Sequence, residues 1–183
     1  MWRGAGLLVA VVACASGDAR APTSRTAAPS LTLAPADEPG QRLTLTVTIA
    51  DRRGAPLVAE VHVYQADAGG AYTPDRPMDE PHARLAGRVT TDGAGRFTLH
   101  TIRPGHYPQA VTLDGVARHI PAHVHMDVQS GDRPERRVQV VFTDDPELAE
   151  PYWQAWAREL RQPVVPLHAD GAAVAGAVTI ALD

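Results

Sequence analysis

Alternation of apolar and polar residues begins at Leu43, where Leu, Leu, Val and Ile alternate with Thr up to Ile49. A period of two predicts a β-strand with one buried and one exposed face. Similar short runs, bounded by Gly, Pro or Asp, follow at residues 57–65, 84–91, 96–102, 123–129, 136–142 and 174–182. Short strands at near-regular spacing predict an all-β fold, specifically a β-sandwich.

Two kinds of interruption complete this pattern. Residues 66–83 contain Gly69, Gly70 and three prolines, and a loop this long inside a compact domain is more often functional than idle. Residues 92–95 read Asp-Gly-Ala-Gly and predict a hairpin. Apolar residues recur every four positions between residues 146 and 160, which predicts one short C-terminal helix, limited by Pro151 to its second half.

The N-terminal 41 residues have a different character. Residues 1–14 contain Arg3, a short apolar run and Cys14, the single cysteine of the chain. The run is shorter than the ~20 residues that span a bilayer, but it suits an export signal. Its ending resembles the lipobox of bacterial lipoproteins, which predicts lipidation of Cys14. The alternative is an ordinary secretory signal cleaved nearby, and both place the protein outside the cytoplasm, as a membrane-anchored lipoprotein of a bacterial envelope or as a secreted or periplasmic protein.

Residues 15–41 are rich in Ala, Pro, Ser and Thr. Such a composition predicts a flexible linker because it buries little apolar surface. We therefore expect one folded domain at residues 42–183. The net charge of −4 and the absence of any basic block argue against nucleic acid as a partner, and leave a lipid anchor as the only expected membrane contact.

His123 and His125 lie two positions apart in a predicted strand. Their side chains should share one face, close enough for two imidazoles to bind one ion, while Val124 faces the core. Taken alone, however, such a pair is more often two polar residues on an exposed strand face.

Four blocks of sequence, in this order, resemble the intradiol ring-cleavage dioxygenases, relatives of protocatechuate and catechol dioxygenases. They read GAPLVAEVHVYQADAGGAY (54–72), LAGRVTTDGAGRFTLHTIRPGHYP (85–108), PAHVH (121–125) and VQVVFTDDP (138–146). The resemblance implies a prealbumin-like β-sandwich and a non-haem Fe(III) ion bound by Tyr72, Tyr107, His123 and His125. Phenolate oxygen is a hard anionic donor that suits ferric iron.

The resemblance also implies a reaction and its catalytic residues. A catechol-type aromatic diol would be cleaved by O2 between its two hydroxylated carbons, giving a muconate-type diacid. Tyr107 would be the labile ligand that accepts a substrate proton, and Gln139 would orient the substrate-derived species. The family commonly has Arg where this chain has Ile120, so Arg118, on the same face of a strand, is the candidate substitute.

Two alternatives remain open at this point. Prealbumin-like modules without catalytic activity share the Asp-Gly hairpin and the Pro-Gly-x-Tyr turn, and there Tyr107 would be a packed corner residue. An iron-binding protein that lost turnover through the change at Ile120 is the other. The oligomeric state is not indicated by the sequence.

Overall fold

The computed structural model describes Met1 and residues 27–183 of the chain. Apart from Met1, the predicted export signal lies outside these residues, and so does Cys14. Export and lipidation therefore stay predictions. Within residues 27–183, no helix has both the length and the apolar character needed to cross a membrane.

Twelve strands and one α-helix form in the described part of the chain. In chain order the strands are β1 (Ser30–Thr32), β2 (Arg42–Asp51), β3 (Glu60–Gln65), β4 (Leu85–Thr90), β5 (Arg96–Ile102), β6 (Val111–Leu113), β7 (Val116–Arg118), β8 (His123–Gln129), β9 (Arg136–Phe142), β10 (Val164–Val165), β11 (His168–Asp170) and β12 (Ala173–Leu182). Helix α1 spans Pro151–Glu159, and 3₁₀ turns lie at Glu80–His82 and Glu147–Ala149.

The strands form two five-stranded sheets and one small hairpin. Sheet A has the order β1-β5-β2-β12-β11, sheet B has the order β10-β9-β8-β3-β4, and β6 pairs only with β7. Strands make up 43% of the structure and helix 9%, so the predicted all-β sandwich is confirmed.

The core lies between the two sheets, where every second side chain of the central strands points inward. The fully buried residues include Leu45, Val47, Phe97 and Leu99 from sheet A and Val61, Val63, Val124 and Met126 from sheet B. Burying one such side chain stabilises the fold by about 1.5–3 kcal/mol. This apolar layer fixes which face of sheet B remains available for chemistry.

The prediction of a flexible linker up to residue 41 is wrong for residues 30–38. Strand β1 pairs in parallel with β5, and Leu31 and Leu33 pack against the core. Glu38 is also buried, and the charge of its carboxylate is satisfied by two hydrogen bonds from the guanidinium of Arg84. The folded domain therefore begins about a dozen residues before the predicted boundary at 42, from β1 at Ser30.

One local prediction also needs correction, and another is confirmed. Residues 92–95 form a tight turn, but it is not a hairpin, because β4 belongs to sheet B and β5 to sheet A. The short helix predicted in the second half of residues 146–160 is α1, which begins at Pro151 and follows a 3₁₀ turn. Proline is compatible with the first helical position because the N–H that it lacks has no partner there.

The outer face of sheet B is covered by connecting segments. One runs from β3 to β4 through residues 66–84, and the other runs from β5 to β8 through residues 103–122 and carries the β6–β7 hairpin. Helix α1 packs nearby through Trp153 and Ala157, which contact Val141 of β9. These elements enclose the candidate site.

Candidate metal centre

Strand β8 supplies two imidazoles to the outer face of sheet B. His123 and His125 are 3% and 1% exposed, while Val124 between them is in the core, as the strand pattern predicted. Their Nε2 atoms are 3.0 Å apart. The alternative of two polar residues on an exposed strand face is therefore excluded by their burial.

Two buried phenols reach the same point from different loops. Tyr72 comes from the β3–β4 segment and Tyr107 from the segment after β5. Their hydroxyl oxygens are 2.7 Å apart, and the hydroxyl of Tyr107 is 3.4 Å from Nε2 of His123. The structure thus brings together all four residues that the sequence resemblance named as iron ligands.

Two glycines allow the loops that carry these phenols to touch. Gly70 has φ +84°, and a Cβ there would be 2.0 Å from the carbonyl oxygen of His106, the residue before Tyr107. A Cβ on Gly105 would be 2.5 Å from the carbonyl oxygen of Ala68. The N–H of Gly105 also donates a hydrogen bond to the carbonyl of Asp67. Only residues without a side chain permit this approach.

Burial and one hydrogen bond set the state of the imidazoles. Nδ1–H of His123 donates to the carbonyl of Pro121 at 2.7 Å, which leaves the lone pair of Nε2 facing the phenols. Burial lowers the pKa of His123 and lowers the pKa of His125 to about 2. Both rings are therefore neutral, which is the form that binds a metal.

His125 is held mainly by packing. The ring of Tyr64 stacks on it with centroids 4.4 Å apart and planes within 6° of parallel. Its Nδ1 atom has no hydrogen-bond partner among the described residues. Tyr64 lies directly opposite His125 across the β3–β8 ladder, so the sheet itself aligns the two rings.

Burial shifts the pKa values of the two phenols upward, whereas it shifts those of the two imidazoles downward. Burial raises the pKa of Tyr72 and the pKa of Tyr107 above the ordinary value near 10, so both hydroxyls keep their protons at neutral pH. A bound cation displaces protons from groups that coordinate it. These tyrosines would thus become phenolates only with a metal ion in place.

The donor atoms fit a shared first-row metal ion. Ligands about 2.0–2.2 Å from one ion, with bond angles between tetrahedral and octahedral values, are about 2.8–3.6 Å from each other. Of the three donor separations in the structure, 3.0 and 3.4 Å lie within this range and the third, 2.7 Å, is just below it. No group of three or more His, Cys, Asp or Glu side chains suited to a metal occurs within residues 27–183, so the two phenols are needed to complete a donor set here.

Glu80 is a site residue that sequence reasoning missed. Its Oε1 atom accepts a hydrogen bond from the hydroxyl of Tyr107 at 3.0 Å and lies 3.9 Å from Nε2 of His125. It belongs to the 3₁₀ turn in the long β3–β4 segment, and its side chain is 38% exposed. The loop was predicted to be functional from its length, but no spacing within it singled out this carboxylate.

A pocket of about 340 Å³ opens beside these donors. Its lining consists of Glu80, Tyr107, Val111, Leu113, Ile120, His123, Gln139, Tyr152, Trp153 and Trp156. The volume falls within the range of small-molecule pockets, about 300–1,000 Å³. Gln139 is paired with His125 across the β8–β9 ladder, and its side-chain amide makes no hydrogen bond to any described residue, so it is available to a ligand.

The expectation that Arg118 replaces the missing arginine is not supported. Its guanidinium donates to Glu150 at 2.7 Å and to the carbonyl of Leu113 at 2.8 Å, and it lies 4.4 Å from the ring centroid of Tyr152. Arg118 is absent from the pocket lining, whereas Ile120 is part of it. The guanidinium thus links the β6–β7 hairpin to Glu150, the residue that precedes α1.

Sequence comparisons cover most of the chain. A family model described as Dioxygenase matches residues 18–177. Chlorocatechol 1,2-dioxygenase of Rhodococcus opacus is 30% identical over 146 residues, covering 74% of this chain and 57% of that protein. The protocatechuate 3,4-dioxygenase beta chain of Burkholderia cepacia is 33% identical over 134 residues, covering 69% and 55%. The chain thus spans about half the length of the curated relatives it matches.

Solved structures are also similar to most of the chain. The dioxygenase domain of a dioxygenase and carbohydrate-binding protein fusion from Streptomyces sp. SirexAA-E superposes with a TM-score of 0.63 at 27% identity, covering 85% of this chain and 88% of that chain. 3-Chlorocatechol 1,2-dioxygenase of Rhodococcus opacus 1CP gives a TM-score of 0.68 at 26% identity, covering 84% and 66%.

Proposed function

The chain belongs to the intradiol ring-cleavage dioxygenase family, and from this membership we propose that it cleaves a catechol-type ring with O2 at a ferric ion held by Tyr72, Tyr107, His123 and His125. The observation that supports the proposal is the close approach of these four side chains. Their hydroxyl and Nε2 atoms form a continuous series in which neighbouring donor atoms are 2.7–3.4 Å apart. The bond between the two hydroxylated carbons and the O–O bond break, and both oxygen atoms enter a muconate-type diacid. The reaction therefore needs no further reductant.

Ferric iron, when bound, supplies coordination of both catechol oxygens, which makes the ring reactive toward dioxygen. The protein's contribution begins with charge. Two phenolates and two neutral imidazoles give a donor set of charge −2, which favours the oxidised metal over the reduced one. Burial of the imidazoles keeps them neutral, so protons do not compete for their Nε2 atoms near pH 7.

Tyr107 is placed to move a proton. Its hydroxyl contacts Tyr72, Glu80 and His123, and its ring lines the pocket. As a phenolate in a buried site it would be a strong base, able to take a proton from a substrate hydroxyl. The carboxylate of Glu80 then accepts the hydrogen bond from the newly protonated phenol.

Other residues orient the ring and exclude water. Gln139 offers an amide from the floor of the pocket, opposite His125. Ile120, Tyr152 and the two tryptophans of α1 form an apolar wall. Such a wall strengthens electrostatic interactions at the donors because it removes competing solvent.

The first test is colour. The full-length chain purified with ferric iron should show visible phenolate-to-iron charge-transfer absorption, and Tyr72→Phe and His123→Ala should each abolish or strongly shift it. His100→Ala is the matched control, because His100 lies on β5 in sheet A, away from the cluster. A colourless, iron-free protein would contradict the proposal and favour a non-catalytic prealbumin-like module.

The second test is turnover. With a panel of catechols, the iron-loaded chain should consume one O2 per ring and yield the diacid. A coloured protein that consumes no oxygen with any catechol would contradict enzymatic activity and identify an iron-binding protein without turnover.

A further inference from the structure

The pocket beside the donor cluster has an unusual charge content. Among the described residues that line it, Glu80 is the only Asp, Glu, Lys or Arg side chain. Arg118, the candidate cation from the sequence, has its guanidinium engaged by Glu150 and by the carbonyl of Leu113. A ligand in this pocket therefore meets one carboxylate and no compensating basic side chain.

Apart from the neutral polar side chains of Gln139 and His123, the rest of the wall is apolar or aromatic. Val111, Leu113 and Ile120 come from the segment before β8, and Tyr152, Trp153 and Trp156 come from α1. Trp153 and Trp156 pack edge to face with centroids 5.6 Å apart, so this side of the pocket is a rigid aromatic surface. Contact with such a wall favours the binding of an apolar ring substituent, and the wall has no basic side chain to pair with a charged one.

We propose, resting on the proposed function, that this pocket selects catechols with uncharged, apolar ring substituents and discriminates against catechols that carry a ring carboxylate. A carboxylate taken from water into this wall would have no cationic partner, which is strongly unfavourable in an apolar environment. The carboxylate of Glu80 would add like-charge repulsion, which solvent reduces because this side chain is 38% exposed.

Two neutral donors at the pocket have to be considered against this proposal. The indole N–H of Trp153 has no hydrogen-bond partner among the described residues, and the side-chain amide of Gln139 makes no hydrogen bond there either. Neutral N–H groups do not compensate the desolvation of a full negative charge. They are better matched to an uncharged acceptor, such as an ether oxygen on the ring substituent.

The test uses two catechols that differ at one ring position. 4-Methylcatechol and 3,4-dihydroxybenzoate are titrated anaerobically into the iron-loaded full-length chain, and the dissociation constants are read from the visible absorption of the bound catecholate. We expect 3,4-dihydroxybenzoate to bind roughly 100-fold more weakly, the scale of an unpaired buried charge. Equal affinities, or tighter binding of the carboxylate, would overturn the inference.

Two substitutions locate the cause of the discrimination. Ile120→Arg introduces a cation into the wall and should reduce or reverse the ratio of the two dissociation constants, whereas Ile120→Met, a control of similar size without charge, should keep it. Glu80→Gln removes the carboxylate charge with little change in shape and should reduce the ratio by about tenfold. Because only ratios are compared, a general change in iron content cancels.

The outcomes separate the two proposals. A chain that binds no iron, or that responds to neither catechol, contradicts the proposed function, and the selectivity inference falls with it. A chain that binds iron and both catechols equally contradicts the selectivity alone. An unchanged ratio in both Ile120→Arg and Glu80→Gln would also overturn the inference, since the charge of the wall would then have no effect.

Discussion

Tyr64 is a residue whose role is to position another. Its ring stacks on His125, which has no hydrogen bond at Nδ1 among the described residues. We expect Tyr64→Leu to weaken iron binding by about tenfold, because supporting residues around metal ligands typically contribute 10- to 100-fold. Competition with a chelator of known affinity measures this.

Tyr64→Phe is the matched control, since it keeps the stacked ring and removes only the hydroxyl. It should bind iron within about twofold of the wild type. If Tyr64→Leu and Tyr64→Phe lose affinity equally, stacking is not what orients His125.

Glu38 gives a prediction about pH. Its carboxylate accepts hydrogen bonds of 2.6 and 2.5 Å from Arg84, which holds the pKa of Glu38 below its ordinary value. A lowered pKa means that the stabilisation is present above the ordinary value, about 4.3, and is lost as the pH falls through the folded-state value. Because Arg84 is 34% exposed, solvent screens the pair, and we expect Glu38→Gln to reduce the free energy of unfolding at pH 7 by about 1 kcal/mol.

Urea unfolding of the wild type and Glu38→Gln between pH 7 and pH 3 tests this expectation. The difference between the two proteins should shrink as the pH falls below about 4. A difference that is constant over this range would show that the charge of Glu38 does not contribute to stability.

At the residue scale, motif and strand period located the donors but not their neighbours. His123 and His125 follow from alternation along a strand, and Tyr72 and Tyr107 follow from blocks of family sequence. Glu80 could not be found this way, because a 3₁₀ turn in an irregular loop has no periodicity that fixes where its side chains point. Sequence spacing placed Arg118 on the expected face of a strand. Its guanidinium instead pairs with Glu150, and this tertiary contact cannot be read from spacing along the chain.

At the element scale, the two loops that carry the phenols depend on close backbone contact. Gly70 has φ +84° and would place a Cβ 2.0 Å from the carbonyl oxygen of His106. We expect Gly70→Ala to separate the loops, to lower the free energy of unfolding by about 3 kcal/mol and to remove the charge-transfer colour. Urea unfolding and the visible spectrum measure both effects.

Gly54 provides the control for this substitution. It has the same φ of +84°, but a Cβ there meets no atom within 4 Å. Gly54→Ala therefore measures the backbone strain alone, about 1–2 kcal/mol, and should keep the colour. If the two variants lose equal stability and both stay coloured, contact between the loops does not depend on Gly70.

Local signals predicted the strands themselves better than their partners. Asp92 to Gly95 has the composition of a hairpin, and it does form a tight turn in which Asp92 accepts hydrogen bonds from the N–H groups of Ala94 and Arg96. The flanking strands nevertheless enter different sheets. Turn chemistry determines how the chain reverses over four residues, whereas the sheet that a strand joins is decided by which apolar face it buries.

At the scale of the whole molecule, the segment before β2 is part of the domain. Leu31 and Leu33 pack on the core, and β1 extends sheet A along β5. Removal of residues 1–42 would eliminate both leucines and the pair between Glu38 and Arg84. We expect a chain starting at residue 43 to lose about 2–4 kcal/mol of unfolding free energy, mainly from the buried Leu33 and the partly buried Leu31.

A chain that starts at residue 27 is the matched comparison, because it keeps every one of these contacts. Its urea midpoint should equal that of the full-length chain. If the chains starting at 27 and 43 have the same midpoint, the packing of β1 contributes nothing to stability.

The composition of residues 15–41 could not reveal this docking. Two leucines among many small and polar residues are too few for a core of their own, and that is why the segment reads as a linker. They are enough to add one short strand to the edge of a sheet that other residues have already built. Composition thus describes what a segment can form alone, and the structure shows what it can form with a template.

Strand β8 is shared by the core and the donor cluster, and this has a consequence for how the site persists. A register slip of one residue against β3 and β9 would send His123 and His125 into the apolar interior and turn Val124 and Met126 toward the phenols. Such a chain would lose its packing and its ligands together. Natural selection for a stable sandwich therefore also preserves the direction of both imidazoles, even during periods when no iron is encountered.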